Sequence, residues 1–328
     1  MTQRYQPITR LGLGGTGFGD MYRATSDEAA QATADAAWDA GIRYFDTAPH
    51  YGAGLSEHRF GHALRRRPRD EYTLSTKVGR LLAPASPGEI AAPFVGALPF
   101  KRVIDYTADG ARRSVEDSLQ RMALASIDIV YVHDLSPDML GDQFDHYYRI
   151  ASGPGGAFEG LTKLREEGVI KAWGLGVNTV EPCLRALRDA DPDIFLLAGR
   201  YTLMETTPLA ELFPLCAERG AKVVIGGPFN SGFLAGGPNY DYGPADADKL
   251  AQRERLQKVA AEHGVDLAAA ALQFGLAHPV VAATIPGASS PEHLRRNAAL
   301  MTMAIPVAFW EALRAAGLVA PDAPLPQA

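Results

Sequence analysis

The chain is predicted to fold as an α/β protein, a single (β/α)8 TIM barrel with long loops at its C-terminal face, with residues 1–328 forming one domain. Three observations carry that expectation. Apolar strand-like runs alternate with helix-like segments eight times, the mark of parallel βα units. The 328 residues exceed the roughly 250 that one such barrel uses, leaving length for loops. Titratable residues collect at the ends of the strand-like runs, where β/α barrels carry their chemistry.

Residues 11–14 form the first strand-like run, and the helix expected at 27–40 has Ser26 to cap it and Gly41 to end it. Runs 42–45 and 72–77 precede helices at 56–64 and 108–122. Run 127–133 precedes a helix at 157–167 that stops at Gly168. Runs 170–175 and 194–199 lead to helices at 180–189 and 209–219, the second stopped by Gly220. The last two units pair run 223–225 with a helix at 248–263, and run 280–285 with one at 291–301. Connections 79–107, 134–156 and 226–247 are too long for simple βα loops. All three follow strand C-termini, so they should stand over the barrel mouth and shape a pocket.

The charge, 32 Lys and Arg against 38 Asp and Glu, is −6. No basic cluster exceeds Arg65-Arg66-Arg67, which suits a helix C-terminus, so neither nucleic acid nor an anionic membrane is an expected partner. Cys183 and Cys216 fall in different expected helices without metal-ligand spacing, and read as buried thiols in a reducing compartment. Residues 1–10 lack an apolar signal core, and no apolar run approaches the roughly 20 residues of a membrane span. A cytoplasmic location is the expectation; the sequence leaves the oligomeric state open.

Asp46 and Tyr51 follow the second strand-like run, Lys77 ends the third and His133 ends the fourth. A carboxylate, an ammonium and an imidazole around a phenol can make it an acid or base near neutral pH. Lys77 offers the cation that favours a phenolate, Asp46 would orient that lysine, and neutral His133 could hydrogen-bond the reacting oxygen. Any one alone could be a structural strand-end group; four together point to proton transfer.

In Phe45-Asp46-Thr47-Ala48, Tyr51-Gly52, Ser75-Thr76-Lys77-Val78 and Tyr131-Val132-His133-Asp134, the chain resembles the aldo-keto reductase superfamily, whose catalytic tetrad falls on Asp46, Tyr51, Lys77 and His133. The resemblance extends from about residue 11 to 318. It is greatest to the D-threo-aldose 1-dehydrogenase group, which includes L-fucose, L-galactose and pyridoxal 4-dehydrogenases, through segments such as Asp117-Ser118-Leu119-Gln120-Arg121 and Gly174-Leu175-Gly176-Val177-Asn178. It implies oxidation of the anomeric hydroxyl of an aldose to a lactone by NAD.

The resemblance also implies a dinucleotide site. Segment 284–297, with Pro286, Gly287, Ser289, His293, Arg296 and Asn297, resembles the last strand–loop–helix that holds the adenosine end, and Asn297 matches the residue reading the adenine edge. Ser231-Gly232-Phe233-Leu234 resembles the loop that wraps the pyrophosphate. Gly12-Leu13-Gly14-Gly15-Thr16-Gly17 matches G-x-G-x-x-G, but Phe18-Gly19-Asp20-Met21-Tyr22 intervenes before the first helix signal, and Asp35 and Asp39, about where an acidic residue should end a second strand, lie inside that helix, so a Rossmann reading is set aside. Gly15, Thr16 and Gly17 serve better as a compact loop beside a cofactor.

Three departures sharpen the reading. Gly287 and His293 stand where users of NADP commonly place a lysine and an arginine for the 2′-phosphate. NAD is therefore expected, with NADP possible through Arg295 or Arg296. The usual Ser-Asn after the fifth strand is Gly176-Val177, which moves the carboxamide role to Asn178. Gly226 replaces the aromatic that covers the nicotinamide, leaving Phe229 or Tyr201 to fill that space. Pocket candidates for a sugar, aldehyde or alcohol are Asp20, Tyr22, His50, Asp134 and Tyr240, each equally able to stabilise a loop. The alternatives are a reductase using the same residues in reverse and a non-catalytic nicotinamide-nucleotide sensor. A metal-dependent hydrolase is set aside for want of paired ligand spacing, so no metal is expected.

Overall fold

The structure, a computed structural model, describes residues 4–86 and 93–327. The strands are β1 (Leu13–Gly14), β2 (Tyr44–Asp46), β3 (Thr73–Val78), β4 (Arg80–Pro84), β5 (Phe100–Ile104), β6 (Ile129–His133), β7 (Ala172–Val177), β8 (Ile194–Ala198), β9 (Lys222–Gly226), β10 (Asn239–Tyr240), β11 (Gly243–Pro244) and β12 (Val281–Ile285). Eight of them form one parallel sheet in the order β1-β2-β3-β6-β7-β8-β9-β12. It closes because Gly12 N donates to Thr284 O at 2.9 Å, Gly14 N to Pro286 O at 3.1 Å and Thr284 N to Arg10 O at 2.8 Å. A closed ladder leaves no barrel edge unpaired.

The helices are α1 (Asp27–Asp39), α2 (Leu55–Leu64), α3 (Ala108–Met122), α4 (Pro137–Leu140), α5 (Phe144–Ser152), α6 (Ala157–Glu166), α7 (Glu181–Asp189), α8 (Leu212–Arg219), α9 (Ala247–Glu262), α10 (Leu267–Phe274), α11 (Pro291–Thr302) and α12 (Val307–Ala315). Ser26 caps α1 by accepting from Ala29 N at 3.2 Å, and α8 ends on left-handed Gly220, φ 70°. Both match the expected signals. No single helix among the described residues is long and apolar enough to cross a membrane.

The three long connections, which the sequence pattern reads as loop, contain regular structure. In 79–107, β4 and β5 form an antiparallel hairpin; residues 87–92 of that connection lie outside the described residues. Connection 134–156 holds α4 and α5, and 226–247 holds the β10–β11 hairpin. Helix α5 buries Phe144, Tyr148 and Ala151, the i, i+4, i+7 stripe of an amphipathic helix. The helix expected from residue 209 begins at Leu212, because Thr207–Leu209 is a 3-10 turn opened by Pro208.

The core has two parts. Tyr44, Ile129, Tyr131, Ile194, Leu196, Val224 and Ala283 fill the barrel interior. A larger layer, including Trp173, Phe195, Phe213, Phe274 and Trp310, packs the strands against the helices. Strands buried on both faces read as continuous apolar runs, so period-two alternation is absent from the sequence.

Candidate active site

Strand β3 and strand β2 place Lys77 and Asp46 side by side at the C-terminal mouth. Lys77 Nζ lies 2.7 Å from Asp46 Oδ2 and donates to Thr47 O at 2.9 Å. Ser75 donates to Asp46 Oδ1 at 2.6 Å, and its oxygen meets the Tyr44 hydroxyl at 3.1 Å. Burial raises the Asp46 carboxyl, and Lys77 and Ser75 oppose that shift. Such a pair is costly to bury and holds only because each partner is satisfied.

Tyr51 stands above this pair on the β2 loop, with Lys77 Nζ 4.6 Å from its ring centroid. Its ring meets His133 edge-on at 5.7 Å and Phe94 at 6.1 Å. The sequence reading expects a phenol acidified by Lys77. In the structure burial wins: the Tyr51 phenol is held well above its ordinary value, first by desolvation, then by Asp46 and Asp134, with Arg80 opposing. Lys77 is spent on Asp46, and its Nζ stands over the Tyr51 ring. Burial, with Arg80 and Lys77, pushes His133 well below its ordinary value, so its imidazole is neutral. Tyr106 fixes the His133 backbone by donating to its carbonyl at 2.8 Å.

A cavity of about 540 Å³ runs from Asp46 and Tyr51 outward across the mouth. Gly15, Thr16 and Gly17 line one wall, Asn178, Phe229, Ser231 and Gly232 another, and Pro286, Gly287, Ser289, His293, Arg296 and Asn297 the outer end. Close backbone approach explains the glycines. A Cβ on Gly14 would stand 3.1 Å from Ile285 O, and one on Gly17 3.2 Å from Ala288 O, so the two loops form one wall of bare peptide. At the outer end Asn297 Nδ2 donates to Gly287 O at 3.3 Å, His293 Nδ1 lies 3.2 Å from Ser289 Oγ, and Arg23 donates to the same oxygen at 3.1 Å. Arg296 is 4.0 Å from Asp266.

Several sequence candidates fall elsewhere. Leu234 is absent from the lining because its side chain is buried in the core. Asp20 pairs with Arg59 at 2.6 Å and accepts from Thr25 N at 3.0 Å, which makes it a staple of the β1 loop. Tyr240 packs edge-on against Phe233 under Lys249, outside the lining. Tyr201 is buried among Phe213, Phe274 and His278, so Phe229 is the one of the two proposed replacements that reaches the cavity beside Gly226.

Tyr22 lines the cavity. His50 packs at 5.3 Å from Phe94 and 5.6 Å from His133, and Asp134 lies beside His133 with Oδ2 3.7 Å from its Nε2. Sequence reasoning missed Tyr242, Asp241 and Arg200, which also line the cavity. Asp241 and Tyr242 form the tip of the β10–β11 hairpin, tied down by Arg200 at 2.9 Å from Asp241 and by Tyr242 N donating to Ser231 Oγ at 2.9 Å. The signal was the brevity of Asn239-Tyr240-Asp241-Tyr242-Gly243, which suits a tight turn.

A parallel barrel with a buried Lys–Asp pair, a phenol and a neutral imidazole beside a long cleft is the framework of a barrel oxidoreductase. The chain belongs to the Aldo/keto reductase family, whose profile matches residues 10–317. It is 41% identical over 326 residues to a pyridoxal 4-dehydrogenase of Microbacterium luteolum, and 40% identical over 322 residues to a D-threo-aldose 1-dehydrogenase of a Pseudomonas species, covering 95% of each chain in both cases. Among solved structures, the holo form of an aldo-keto reductase from Bacillus halodurans superposes with a TM-score of 0.74 at 24% identity, over 98% of this chain and 97% of that one; this last likeness concerns the fold. The chain is thus an aldo-keto reductase-type oxidoreductase close to aldose and pyridoxal dehydrogenases.

Proposed function

We propose that the protein oxidises the anomeric hydroxyl of an aldose of the L-fucose or L-galactose type to a lactone, with NAD as hydride acceptor. The carrying observation is the buried Lys77–Asp46 pair, 2.7 Å apart, beneath Tyr51 and near neutral His133, with Asp46 and Tyr51 lining the long cavity. The identity to a D-threo-aldose 1-dehydrogenase supports the substrate class. Pyridoxal is the second reading, favoured by 41% identity to a pyridoxal 4-dehydrogenase. Aldoses and pyridoxal both close to cyclic hemiacetals, so loss of a hydride and a proton yields a lactone from either.

The cavity fits an extended dinucleotide. Gly15, Thr16 and Gly17 would allow close backbone approach, Ser231 and Gly232 would flank the pyrophosphate, Asn178 would hold the carboxamide, and Asn297 would face the adenine. When bound, the dinucleotide supplies the hydride acceptor at its nicotinamide ring. Tyr51, once ionised, would take the proton from the substrate hydroxyl oxygen as the hydride leaves the carbon that bears it. His133, neutral, orients the carbon–oxygen bond, and Lys77 with Asp46 fixes the ground beneath the phenol. Because the phenol is held protonated by burial, oxidation should accelerate with rising pH and reduction of a carbonyl should slow.

The experiment is initial rates with NAD, NADP and their reduced forms across L-fucose, L-galactose, pyridoxal, simple alcohols and hydrophobic aldehydes. NAD reduction by a free sugar or pyridoxal is expected. Turnover confined to hydrophobic aldehydes would reject the reading. NAD should be preferred, and Gly287→Lys with His293→Arg should move the preference toward NADP by about one to two decades per restored contact. A wild type that already binds NADP more tightly would show that Arg23, Arg295 or Arg296 serves the 2′-phosphate.

A further inference from the structure

The chain leaves β3 at Gly79, φ 100°, and turns directly into β4, so Arg80 stands three residues beyond Lys77 at the same mouth. A Cβ on Gly79 would meet Tyr106 Cε1 at 2.3 Å, and Tyr106 is the residue that holds the His133 carbonyl. Arg80 Nη1 lies 2.8 Å from Asp134 Oδ2, with both side chains only 11% exposed. Asp134 adopts a left-handed backbone, φ 52°, and its N donates to Gly176 O at 2.9 Å. An ion pair this buried is expensive, and a non-glycine residue at positive φ adds to the cost.

The position of the pair gives it a use. Arg80 and His133 both approach the carboxylate at Oδ2, His133 through Nε2 at 3.7 Å. An oxygen held by that imidazole nitrogen would stand beside Asp134, and a hydroxyl on the adjoining carbon could then reach its carboxylate.

We propose that Asp134 is the specificity residue of this site, accepting a hydrogen bond from a hydroxyl on the carbon next to the reacting one, with Arg80 as its positioning partner. The substrate class is then a carbonyl or hemiacetal bearing an adjacent hydroxyl. The inference rests on His133 holding the reacting oxygen, as in the proposed function. A buried carboxylate that loses its hydroxyl partner is left unpaired, so a substrate lacking that group is rejected. Arg80 acts by keeping the carboxylate ionised and aimed.

The test compares lactaldehyde with propanal in the reductive direction, and L-galactose with its 2-deoxy analogue in the oxidative one. The enzymes are wild type, Asp134→Ala, Asp134→Asn, Arg80→Met and Arg80→Lys, each checked by thermal melting. Wild type should favour the hydroxylated member by about ten- to a hundredfold in kcat/KM, the range of one hydrogen bond to a charged group. Asp134→Ala should erase that preference, the hydroxylated members losing about ten- to a hundredfold more in kcat/KM than their deoxy partners, mainly through KM. Asp134→Asn should keep part of it, and guards against a misfolded alanine variant. Arg80→Met should raise KM for the hydroxylated member more than for its deoxy partner, and Arg80→Lys should recover most of that difference. A wild type without preference, an alanine variant that keeps it, or an equal loss on both members overturns the proposal. Retained preference for lactaldehyde over propanal without turnover of any aldose would instead reject the proposed substrate and leave Asp134 in its role.

Discussion

At the N-terminal mouth of the barrel, Asp128 takes Arg69 at 2.6 Å, Lys171 at 2.7 Å and the Leu74 N–H at 2.8 Å. Asp193 takes Arg4, Arg165 and the Trp173 N–H in the same way. At the C-terminal mouth, the Nδ1 atoms of His50 and His133 are buried without a hydrogen-bond partner among the described residues, and the Tyr51 phenol is destabilised as an anion by its surroundings. Backbone strain divides the same way. Of nine described non-glycine residues at positive φ, only Ala123, at the end of α3, lies away from the loops at the C-terminal mouth. The N-terminal mouth ties its buried carboxylates into ion pairs, while the strained backbone gathers at the C-terminal mouth, where a ligand would bind.

The largest expected effect would break that contrast if it failed. Tyr51→Phe should lower turnover by about 10²- to 10⁴-fold, with melting unchanged and dinucleotide affinity, read by fluorescence titration, within a few-fold. Retention of most of the turnover removes the phenol from the chemistry.

Asp128→Ala probes the opposite mouth. Its carboxylate is 1% exposed, but Arg69 and Lys171 are 26% and 56% exposed, so water can partly replace it for them. A loss of about 1–3 kcal/mol in urea denaturation is expected, with kcat per folded molecule unaltered. A fall in kcat without a fall in stability would mean that the two mouths are coupled.

Acid should act on the buried groups at the C-terminal mouth. Burial, then Arg80, Arg102 and Lys77, push His50 down to about 2, whereas the unfolded chain titrates near about 6.5. Between those values the unfolded state binds a proton that the native state does not. Stability therefore falls as pH drops below about 6.5, by up to about 1.4 kcal/mol per pH unit for each such histidine. His133 shifts in the same direction. Asp46 and Asp134 are raised by burial, so their protonation at lower pH acts in the opposite sense. His50→Asn should flatten the stability slope between pH 5 and 6.5; an unchanged slope would show that His50 gains its proton in the native state.

The sequence made the barrel legible because eight apolar runs and their helix stops are local signals, as with Ser26 and Gly220. Asp46, Tyr51, Lys77 and His133 stood out because each interrupts or ends an apolar run, and the structure brings them together. Asp20, Tyr240 and Leu234 misled because their fates depend on distant partners: Arg59 claims Asp20 across 39 positions, Phe233 and Lys249 claim Tyr240, and the core claims Leu234. Arg80 and Asp134 stand 54 positions apart by their numbering, and only the adjacency of β3 and β6 brings them together. Local pattern thus reveals which strand end a residue occupies, while pairing across loops decides whether it faces the cavity.

The smallest expected effect sharpens the contrast at a single turn. The β10–β11 hairpin turns on Asp241 and Tyr242, at φ 45° and 68°, and a two-residue turn of this hand favours Asp-Gly. Tyrosine there carries the left-handed penalty of about 1–2 kcal/mol, partly offset because glycine gives the unfolded chain about 0.5–1 kcal/mol more entropy. Tyr242→Gly should therefore stabilise the protein by about 0.5–1 kcal/mol. The Tyr242 N–H to Ser231 and the Arg200–Asp241 pair use atoms that glycine leaves in place. What disappears is an aromatic wall of the cavity, so KM or dinucleotide affinity should worsen as melting improves. A variant that melts lower would show that the ring itself holds the hairpin down. One that melts higher with unchanged kinetics would show that this strained residue serves no ligand.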